Sequence, residues 1–388
     1  MLCSTRILIL LAFLFGPYFV KAADQGEPVY LPKKDRLTSV AFSKKMDAVA
    51  VIQGDEFVRV YQFPSMKGIG SIELSVNGGV VSFSPCGQFL LTNGDPKEDG
   101  TLRIWDLFDS PPKKVKTLSV RERIRDTLPE FAMVDFQFAL DGKSVFGFHR
   151  SMYFYSWEWR KTNSPISKPP FSDFGDRKYG LQESSGYFLP DDSVIALGLK
   201  GEIEIHRFEN FEYTFVKSID AESFGNGNLV FYTSVTPDCK SFVTFNYRDE
   251  TVEVHDISRP RSKRVDRLLH YRRQPDGTEN MGILAVAATP DRSVIIVAWE
   301  SRDKLAPGAY IDFFPRTKER AAEFGLKEGQ SYLQMESDSD NRPAFSRVRF
   351  SPDGKWFAVE GWQGSAPRIW RVESLGRDLL ADKNVKKK

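Results

Sequence analysis

A four-residue turn signature that returns seven times constrains this chain more than any other feature. In its clearest copies, residues 84–87 (SPCG) and 351–354 (SPDG), a serine precedes proline, a variable residue and glycine. Proline presets one turn dihedral and glycine accepts a positive φ, so the signature predicts a short antiparallel connection. Weaker copies begin at Ser43, Ala139, Leu189, Thr236 and Thr289. A unit that recurs at intervals of 41–62 residues predicts a repeat architecture.

Each turn lies between two apolar runs, and a third strand-like run follows. In residues 79–107 the runs at 80–83 and 89–92 flank the turn, and 101–107 (TLRIWDL) follow a polar loop. Apolar and charged residues alternate in that last run, which is typical of a strand with two different faces. Third strands are expected after the other turns at 57–63, 152–157, 202–208, 251–257, 310–314 and 367–372. Three strands plus a fourth from a flanking segment make one blade of a β-propeller.

We therefore predict an all-β, seven-bladed β-propeller of four-stranded antiparallel blades over residues 23–376. Outer strands are expected at 70–76, 115–120, 179–181, 214–219, 264–270 and 331–335. The seventh unit has only a charged tail after Val372, so residues 28–31 (PVYL) are expected to supply its fourth strand. This pairing of the two ends would close the array without an exposed edge there. The basic tail, residues 377–388, is expected to be disordered.

These units resemble the WD-repeat β-propeller family over roughly residues 28–373. The best matches are SFSPCG…GTLRIWDL in the second unit and RFSPDGKWFAVEG…RIWRV in the seventh. Only Trp105-Asp106 keeps the terminal dipeptide of the family, and its Gly-His pair is missing from every unit, so the copies are divergent and closer to bacterial propellers. The resemblance implies a rigid face for protein partners. We expect a monomeric scaffold without catalytic activity.

The first 22 residues are predicted to be a secretory signal peptide. Arg6 precedes the apolar core at 7–15, Gly16-Pro17 breaks a helix, and small residues lie at a cleavage site near Ala22. The 14-residue apolar run at 7–20 is shorter than the roughly 20 residues that span a bilayer, so an uncleaved anchor is the less favoured alternative. We expect export to the periplasm or the extracellular space, with no transmembrane segment left after cleavage.

Charge does not point to a polyanionic partner for the whole molecule. Removing the signal peptide takes away Arg6 and Lys21, which leaves 52 basic residues against 52 acidic ones. A neutral chain gives no global reason to expect nucleic acid or a membrane surface as its partner.

The residue types that support catalysis or metal binding are few and scattered. Cys86 and Cys239 lie in turns of separate blades, too far apart for a disulfide. His206 and His255 take matching third-strand positions on adjacent blades, and packing is expected for both. The remaining histidines are His149 and His270, and there is no HxH or HExxH spacing, so neither a metal nor a cofactor is assigned. Aspartates recur in the turns because turns favour Asp.

Two groups of residues are candidates for an interaction site. Trp299 and Trp362 end second strands of neighbouring blades, where they would form an aromatic platform or pack in the core. The second group covers an expected outer strand and its flanking loops and consists of Arg259, Arg261, Lys263, Arg264, Arg267, Arg272 and Arg273. These residues would contact a polyanion or acidic protein, or simply form a solvated edge strand.

Three functions remain open at this point. The first is an exported protein-interaction scaffold whose binding face is the rim of long loops, which include residues 95–100, 121–132 and 272–282. The second is a propeller enzyme of the lactonase or lyase kind. The third is a carbohydrate- or polyanion-binding protein of the cell envelope. The fold alone does not choose among them, since propellers host all three.

Overall fold

Seven antiparallel sheets follow one another along the described part of the chain. The structure is a computed structural model. It describes residues 29–30, 37–53, 57–74, 80–93, 101–119, 133–149, 154–163, 166–168, 186–188, 192–197, 203–209, 212–219, 230–246, 251–258, 263–268, 281–301, 308–326, 333–336, 347–360, 368–376 and 385–387.

The sheets are numbered here in chain order, and within each sheet the strands that follow one another along the chain are hydrogen-bonded neighbours. Sheet 1 contains β2 (Leu37–Phe42), β3 (Ala48–Gln53), β4 (Phe57–Gln62) and β5 (Lys67–Glu73). Sheet 2 contains β6 (Val81–Phe83), β7 (Phe89–Asn93), β8 (Thr101–Asp106) and β9 (Lys113–Ser119). Sheet 3 contains β10 (Met133–Phe138), β11 (Ser144–His149), β12 (Phe154–Glu158) and β13 (Ile166–Lys168). Sheet 4 contains β14 (Gly186–Phe188), β15 (Ser193–Leu197), β16 (Ile203–Glu209) and β17 (Glu212–Ile219).

The remaining three sheets repeat this meander, and the last two also take in the ends of the described chain. Sheet 5 contains β18 (Val230–Val235), β19 (Ser241–Asn246), β20 (Thr251–Asp256) and β21 (Lys263–Leu268). Sheet 6 contains β22 (Met281–Ala288), β23 (Val294–Ser301), β24 (Gly308–Pro315), β25 (Leu333–Glu336) and, at its edge, β29 (Val385–Lys387). Sheet 7 contains β26 (Arg347–Phe350), β27 (Trp356–Glu360), β28 (Arg368–Arg371) and, at its edge, β1 (Val29–Tyr30). A short helix, α1 (Lys318–Glu323), follows β24.

The seven predicted turns all show the expected backbone conformation at their fourth residue. This residue has a φ between 55° and 78° in every case, at Met46, Gly87, Gly142, Asp192, Cys239, Arg292 and Gly354. Positive φ is uncommon outside glycine. Its recurrence at four non-glycine positions therefore comes from the turn geometry rather than from the local sequence.

The predicted outer strands agree with the structure in five sheets and differ in one. The predicted strand segments overlap β5, β9, β17, β21 and β25. In sheet 3 the fourth strand was expected at 179–181, which lies outside the described residues, and the structure instead has β13 at Ile166–Lys168. This strand follows soon after β12, so a short connection supplies the sheet edge.

Both ends of the described chain add a strand to a sheet. The predicted N-terminal pairing is present: Val29 faces Ile369 and Tyr30 faces Arg368 in the antiparallel register of β1 and β28. The C-terminal tail differs from the prediction of disorder. Residues 385–387 form β29 and pair with β25, with Leu333 opposite Lys387 and Met335 opposite Val385.

Apolar clusters lie between successive sheets, because both faces of most inner strands are buried. In β3, Val49 and Val51 belong to a cluster shared by sheets 7 and 1, whereas Ala50 and Ile52 belong to one shared by sheets 1 and 2. Further clusters join sheets 2 and 3, 5 and 6, and 6 and 7. Each fully buried Val or Ile contributes about 1.5–3 kcal/mol, so these contacts hold the sheets together.

None of the helices in the described ranges is long and apolar enough to cross a membrane. The predicted signal peptide, residues 1–22, lies outside those ranges.

Candidate interaction surface

Trp299, one of the two predicted platform residues, is a core residue in the structure. Its side chain is 2% exposed. The indole N–H donates to Asp312 Oδ2 over 2.8 Å, and the ring stacks on Tyr310 with centroids 4.3 Å apart. This environment agrees with the packing alternative for Trp299. Trp362 lies outside the described residues.

The predicted basic group is described only in part. Lys263, Arg264 and Arg267 belong to β21, which is the edge strand of sheet 5, as expected. Lys263 faces Asp256 and Arg267 faces Glu253 in the register with β20. The other members of the group, Arg259, Arg261, Arg272 and Arg273, lie outside the described residues.

The histidines described with their side chains are buried and lie in different sheets. His206 in β16 packs edge-on against Phe215, with ring centroids 5.7 Å apart. His255 in β20 has its Nε2 3.4 Å from Glu253 Oε2, and both side chains are buried. Within the described ranges, no group of three or more His, Cys, Asp or Glu side chains has the geometry to hold a metal ion.

The two cysteines of the repeat region are free thiols, as predicted, but neither is buried. Cys86 is exposed at the turn between β6 and β7, and Cys239 is partly exposed at the turn between β18 and β19. Their turn positions account for the exposure, since the tips of these connections face solvent.

A hydroxyl network fixes the shape of the turns. In sheet 6, Thr289 Oγ1 donates to Asp291 Oδ1 over 2.6 Å and accepts from the Val294 N–H over 3.0 Å. The same pair of contacts is made by Ser351 in sheet 7, with Asp353 and Trp356. These buried hydroxyls and turn carboxylates have structural partners, so the recurring aspartates have the turn role that their positions predict.

Asp291 also connects its turn to helix α1. Partial burial tends to raise the pKa of Asp291, but hydrogen bonds from Thr289 and Ser293 and the charge of Arg320 outweigh it and lower the pKa below its ordinary value. Arg320 Nη2 lies 3.7 Å from Asp291 Oδ2, and Arg320 Nη1 donates to the Glu373 carbonyl over 3.2 Å. Arg320 therefore links sheet 6, the helix and the segment after β28.

Contacts join the turns of several neighbouring sheets, and we call the side of the sheets on which these turns lie the turn face. The Leu140 N–H in sheet 3 donates to the Asp192 carboxylate in sheet 4 over 2.8 Å. Arg292 in sheet 6 donates to the Ser241 hydroxyl in sheet 5. Gly354 in sheet 7 is so close to Pro290 that a Cβ there would lie 2.5 Å from the proline Cγ.

Three exposed side chains lie on the turn face of sheets 2 and 3, and one of them, Arg160, lies over the buried ring of Trp159. Phe108 is 79% exposed and Leu140 is 44% exposed. Arg160 is exposed, and its guanidinium carbon lies 4.7 Å from the centroid of the Trp159 ring. We call these three residues the turn-face cluster.

Short contacts connect the segments that carry these three side chains. Trp159 Nε1 donates to the Gly142 carbonyl in the turn that carries Leu140, over 3.1 Å. The Trp159 ring also packs against Phe89, with centroids 5.1 Å apart. Gln88, the neighbour of Phe89, donates to Asp106, which in turn accepts from the Phe108 N–H. Phe108, Leu140 and Arg160 therefore occupy one region of sheets 2 and 3.

The turn-face cluster has the chemistry of a protein-binding site. Aromatic residues and arginine are enriched in protein interfaces, where large rigid side chains supply most of the binding energy. Phe108 is the most exposed of the large apolar side chains described. This cluster was not predicted, because binding was expected on the loop-rich rim, of which residues 95–100, 121–132 and 272–280 lie outside the described residues. An aromatic residue directly after a third strand and before Asp109-Ser-Pro-Pro112 was the available signal.

Comparison with known proteins gives one local match. No curated protein matches the chain significantly. Residues 75–106 match the family model described as WD domain, G-beta repeat. These residues contain β6, β7 and β8 and the turn that joins the first two. This unit of the chain is therefore similar to a WD repeat.

Proposed function

We propose that this chain is a seven-bladed WD-repeat-like β-propeller that acts as a protein-interaction scaffold outside the cytoplasm. The observation that carries the proposal is the recurrence of one turn at seven positions, each with a positive φ at its fourth residue. One of these units matches a WD repeat, a type of unit that usually mediates protein interactions.

Contacts between the sheets support a closed ring. Apolar clusters link sheet 7 to sheet 1 and run on to sheet 3, and others link sheets 5, 6 and 7. Strands β10 and β14 bring sheets 3 and 4 together. A ring needs one further junction, between sheets 4 and 5.

The polar face of β20 supports that last junction. Val252 and Val254 pack toward sheet 6, so strand alternation places Thr251, Glu253 and His255 on the opposite face. All three side chains are buried, although they are polar. A neighbouring sheet over this face would account for the burial, and sheet 4 is the one that a ring would place there.

The turn-face cluster is the proposed binding surface for a protein partner. Phe108→Asp together with Leu140→Asp should reduce retention of the partner at least tenfold in a pull-down from the native envelope fraction. The reason is that a buried carboxylate opposite an apolar partner surface is costly. Val216→Asp is the matched control, because Val216 is also an exposed apolar residue but lies on the outer strand of sheet 4.

The partner is identified by mass spectrometry and its affinity is then measured with purified protein. Equal retention by the wild type and the double variant would contradict the turn-face site. Equal loss in the Val216→Asp control would show that the effect is not local to the cluster.

Export is proposed from the charged start, apolar core and small-residue cleavage site of residues 1–22. N-terminal sequencing of the secreted or periplasmic protein should find a chain that begins close after Ala22. Such a start leaves Val29 and Tyr30 available for β1. A chain that retains residues 1–22 would overturn this part of the proposal.

Polyanion binding is a second candidate function, favoured by basic residues on two edge strands. Lys113 and Lys114 are exposed on β9, and Lys263 and Arg264 lie on β21. Both strands are sheet edges. Arg261→Glu with Arg264→Glu should abolish salt-sensitive binding to a sulfated polysaccharide column, whereas unchanged elution would exclude this function for β21.

A further inference from the structure

Among the strands that the structure describes, sheet 6 differs from the other six sheets because a fifth strand covers its edge. The outer strand β25 pairs with β24 on one side and with the C-terminal strand β29 on the other. Phe313 faces Leu333 and Tyr310 faces Glu336, with no register shift along β25. The strand thus presents a regular backbone edge, and the end of the chain occupies it.

Four of the other outer strands carry a bulge that makes their edges irregular. In each of these strands a register shift skips one residue, which has no opposite residue in the ladder. The skipped residues are Ile69 in β5, Val115 in β9, Val216 in β17 and Val265 in β21. A bulge interrupts the ladder and increases the local twist, which discourages a further strand from adding to the edge.

The two remaining outer strands are protected by their length. Strand β13 has three residues and β1 has two. Very short edge strands offer few hydrogen bonds to an added strand. Among the outer strands described, β25 is therefore the one with four paired residues and no bulge, and it is the one that binds another strand.

The occupant of this edge has a defined chemistry. The occupant belongs to the sequence Asp382-Lys-Asn-Val-Lys-Lys-Lys388, in which lysine predominates. In the observed register Met335 faces Val385 and Leu333 faces Lys387. An extended segment rich in lysine is thus the occupant that this edge holds.

We propose that the outer edge of β25 is a peptide-binding site for an extended, lysine-rich segment of a partner protein, and that β29 is the intramolecular occupant which this segment replaces. Adding a strand to an exposed sheet edge is a recurring mode of peptide recognition, in which main-chain hydrogen bonds supply affinity. For its biological partner this inference rests on the proposed scaffold function.

The short segment that links β29 to the core explains why β29 occupies the edge of β25 in the isolated chain. Gly376 is the last described residue before β29; in the same segment Leu375 is buried in the core and Gly376 lies against α1. Only residues 377–384 connect this anchored point to β29. A short tether gives an effective concentration of about 1 mM, so a free peptide competes poorly unless the tail is released.

The test is binding of a fluorescent peptide with the sequence of residues 382–388, measured by anisotropy. One protein is the full chain, and the second ends at Gly376, after the last anchored residue. A third protein keeps the full length but carries Val385→Pro, Lys386→Pro and Lys387→Pro, which removes the N–H donors of β29. Thermal unfolding checks that both altered proteins are folded.

We expect the peptide to bind both altered proteins and to bind the full chain at least tenfold more weakly. N-methylation gives the matched control, because alternate N–H groups of an antiparallel strand point toward its partner. Two methylated peptides are compared, one methylated at Lys386 and the other at both Val385 and Lys387. One of them should lose binding, because its methyl groups replace N–H groups that point toward β25. The other should keep binding.

Three results would overturn the proposal: no binding to either altered protein, equal binding to the full chain, or tolerance of both methylation patterns. The last result would indicate attraction between charges without strand addition. Phe108→Asp with Leu140→Asp should leave peptide binding unchanged, so failure of the turn-face site and failure of the β25 site can be told apart.

Discussion

At the scale of single residues, the turn position with positive φ shows that the turn geometry outweighs the backbone preference of the residue that occupies it. Glycine occupies it in sheets 2, 3 and 7, whereas Met46, Cys239 and Arg292 adopt it at φ values of 55–60°. A side chain in this conformation costs roughly 1–2 kcal/mol, which the hydrogen bonds of the turn and the adjoining strands offset. The repeated spacing identified these positions even where no glycine is present.

Two of these glycines make a matched pair for mutation. Gly87→Ala meets no atom within 4 Å, so we expect only the backbone cost, about 1–2 kcal/mol of unfolding free energy. Gly354→Ala has a similar φ but places its Cβ 2.5 Å from Pro290 Cγ, and the overlap should add about 1–3 kcal/mol. Urea unfolding measures both. Equal losses would contradict the close contact between the turns of sheets 6 and 7.

At the scale of elements, the sequence predicted the regular strands well because their signal is local. Alternating apolar residues and turn residues lie within each unit, as in β6 to β8. Strand β29 could not be predicted this way, since Val385-Lys-Lys387 has no alternation and its pairing depends on the distant edge of β25. The turn-face cluster was missed for a similar reason, because the exposure of Phe108 and Leu140 depends on how sheets 2 and 3 meet.

The turn of sheet 6 should make stability depend on acid. The folded-state pKa of Asp291 is below its ordinary value of 3.8, so its ionised carboxylate stabilises the fold above that pH. This contribution is lost as the pH falls through the folded-state pKa. Because the side chain of Asp291 is 55% exposed, solvent screening limits the effect to about 1 kcal/mol.

Asp291→Asn should therefore lower the melting temperature at pH 6, and the difference from the wild type should shrink below pH 3.8. In an Arg320→Gln background the same substitution should cost less, since the guanidinium charge is gone. Asp353→Asn, at the matching turn position of sheet 7, controls for the lost turn hydrogen bonds. A difference that stays constant from pH 6 to pH 3 would rule out the charge contribution.

At the scale of the whole molecule, the pairing of β1 with β28 joins the start of the described chain to its last sheet. A protein that lacks residues 1–31 should lose about 1–3 kcal/mol of unfolding free energy, because two residue pairs of the ladder disappear. A protein that lacks only residues 1–27 keeps β1 and should match the full chain in urea unfolding. If the longer deletion also has no effect, β1 does not stabilise sheet 7.

The positions of β1 and β29 also have a mechanical consequence. The two strands lie on sheets 7 and 6, which share an apolar cluster, so both ends of the chain transmit tension to the same sector of the molecule. Each is attached by only two or three residue pairs. A pulling force applied at either end would detach that strand first and leave the remaining strands of its sheet assembled.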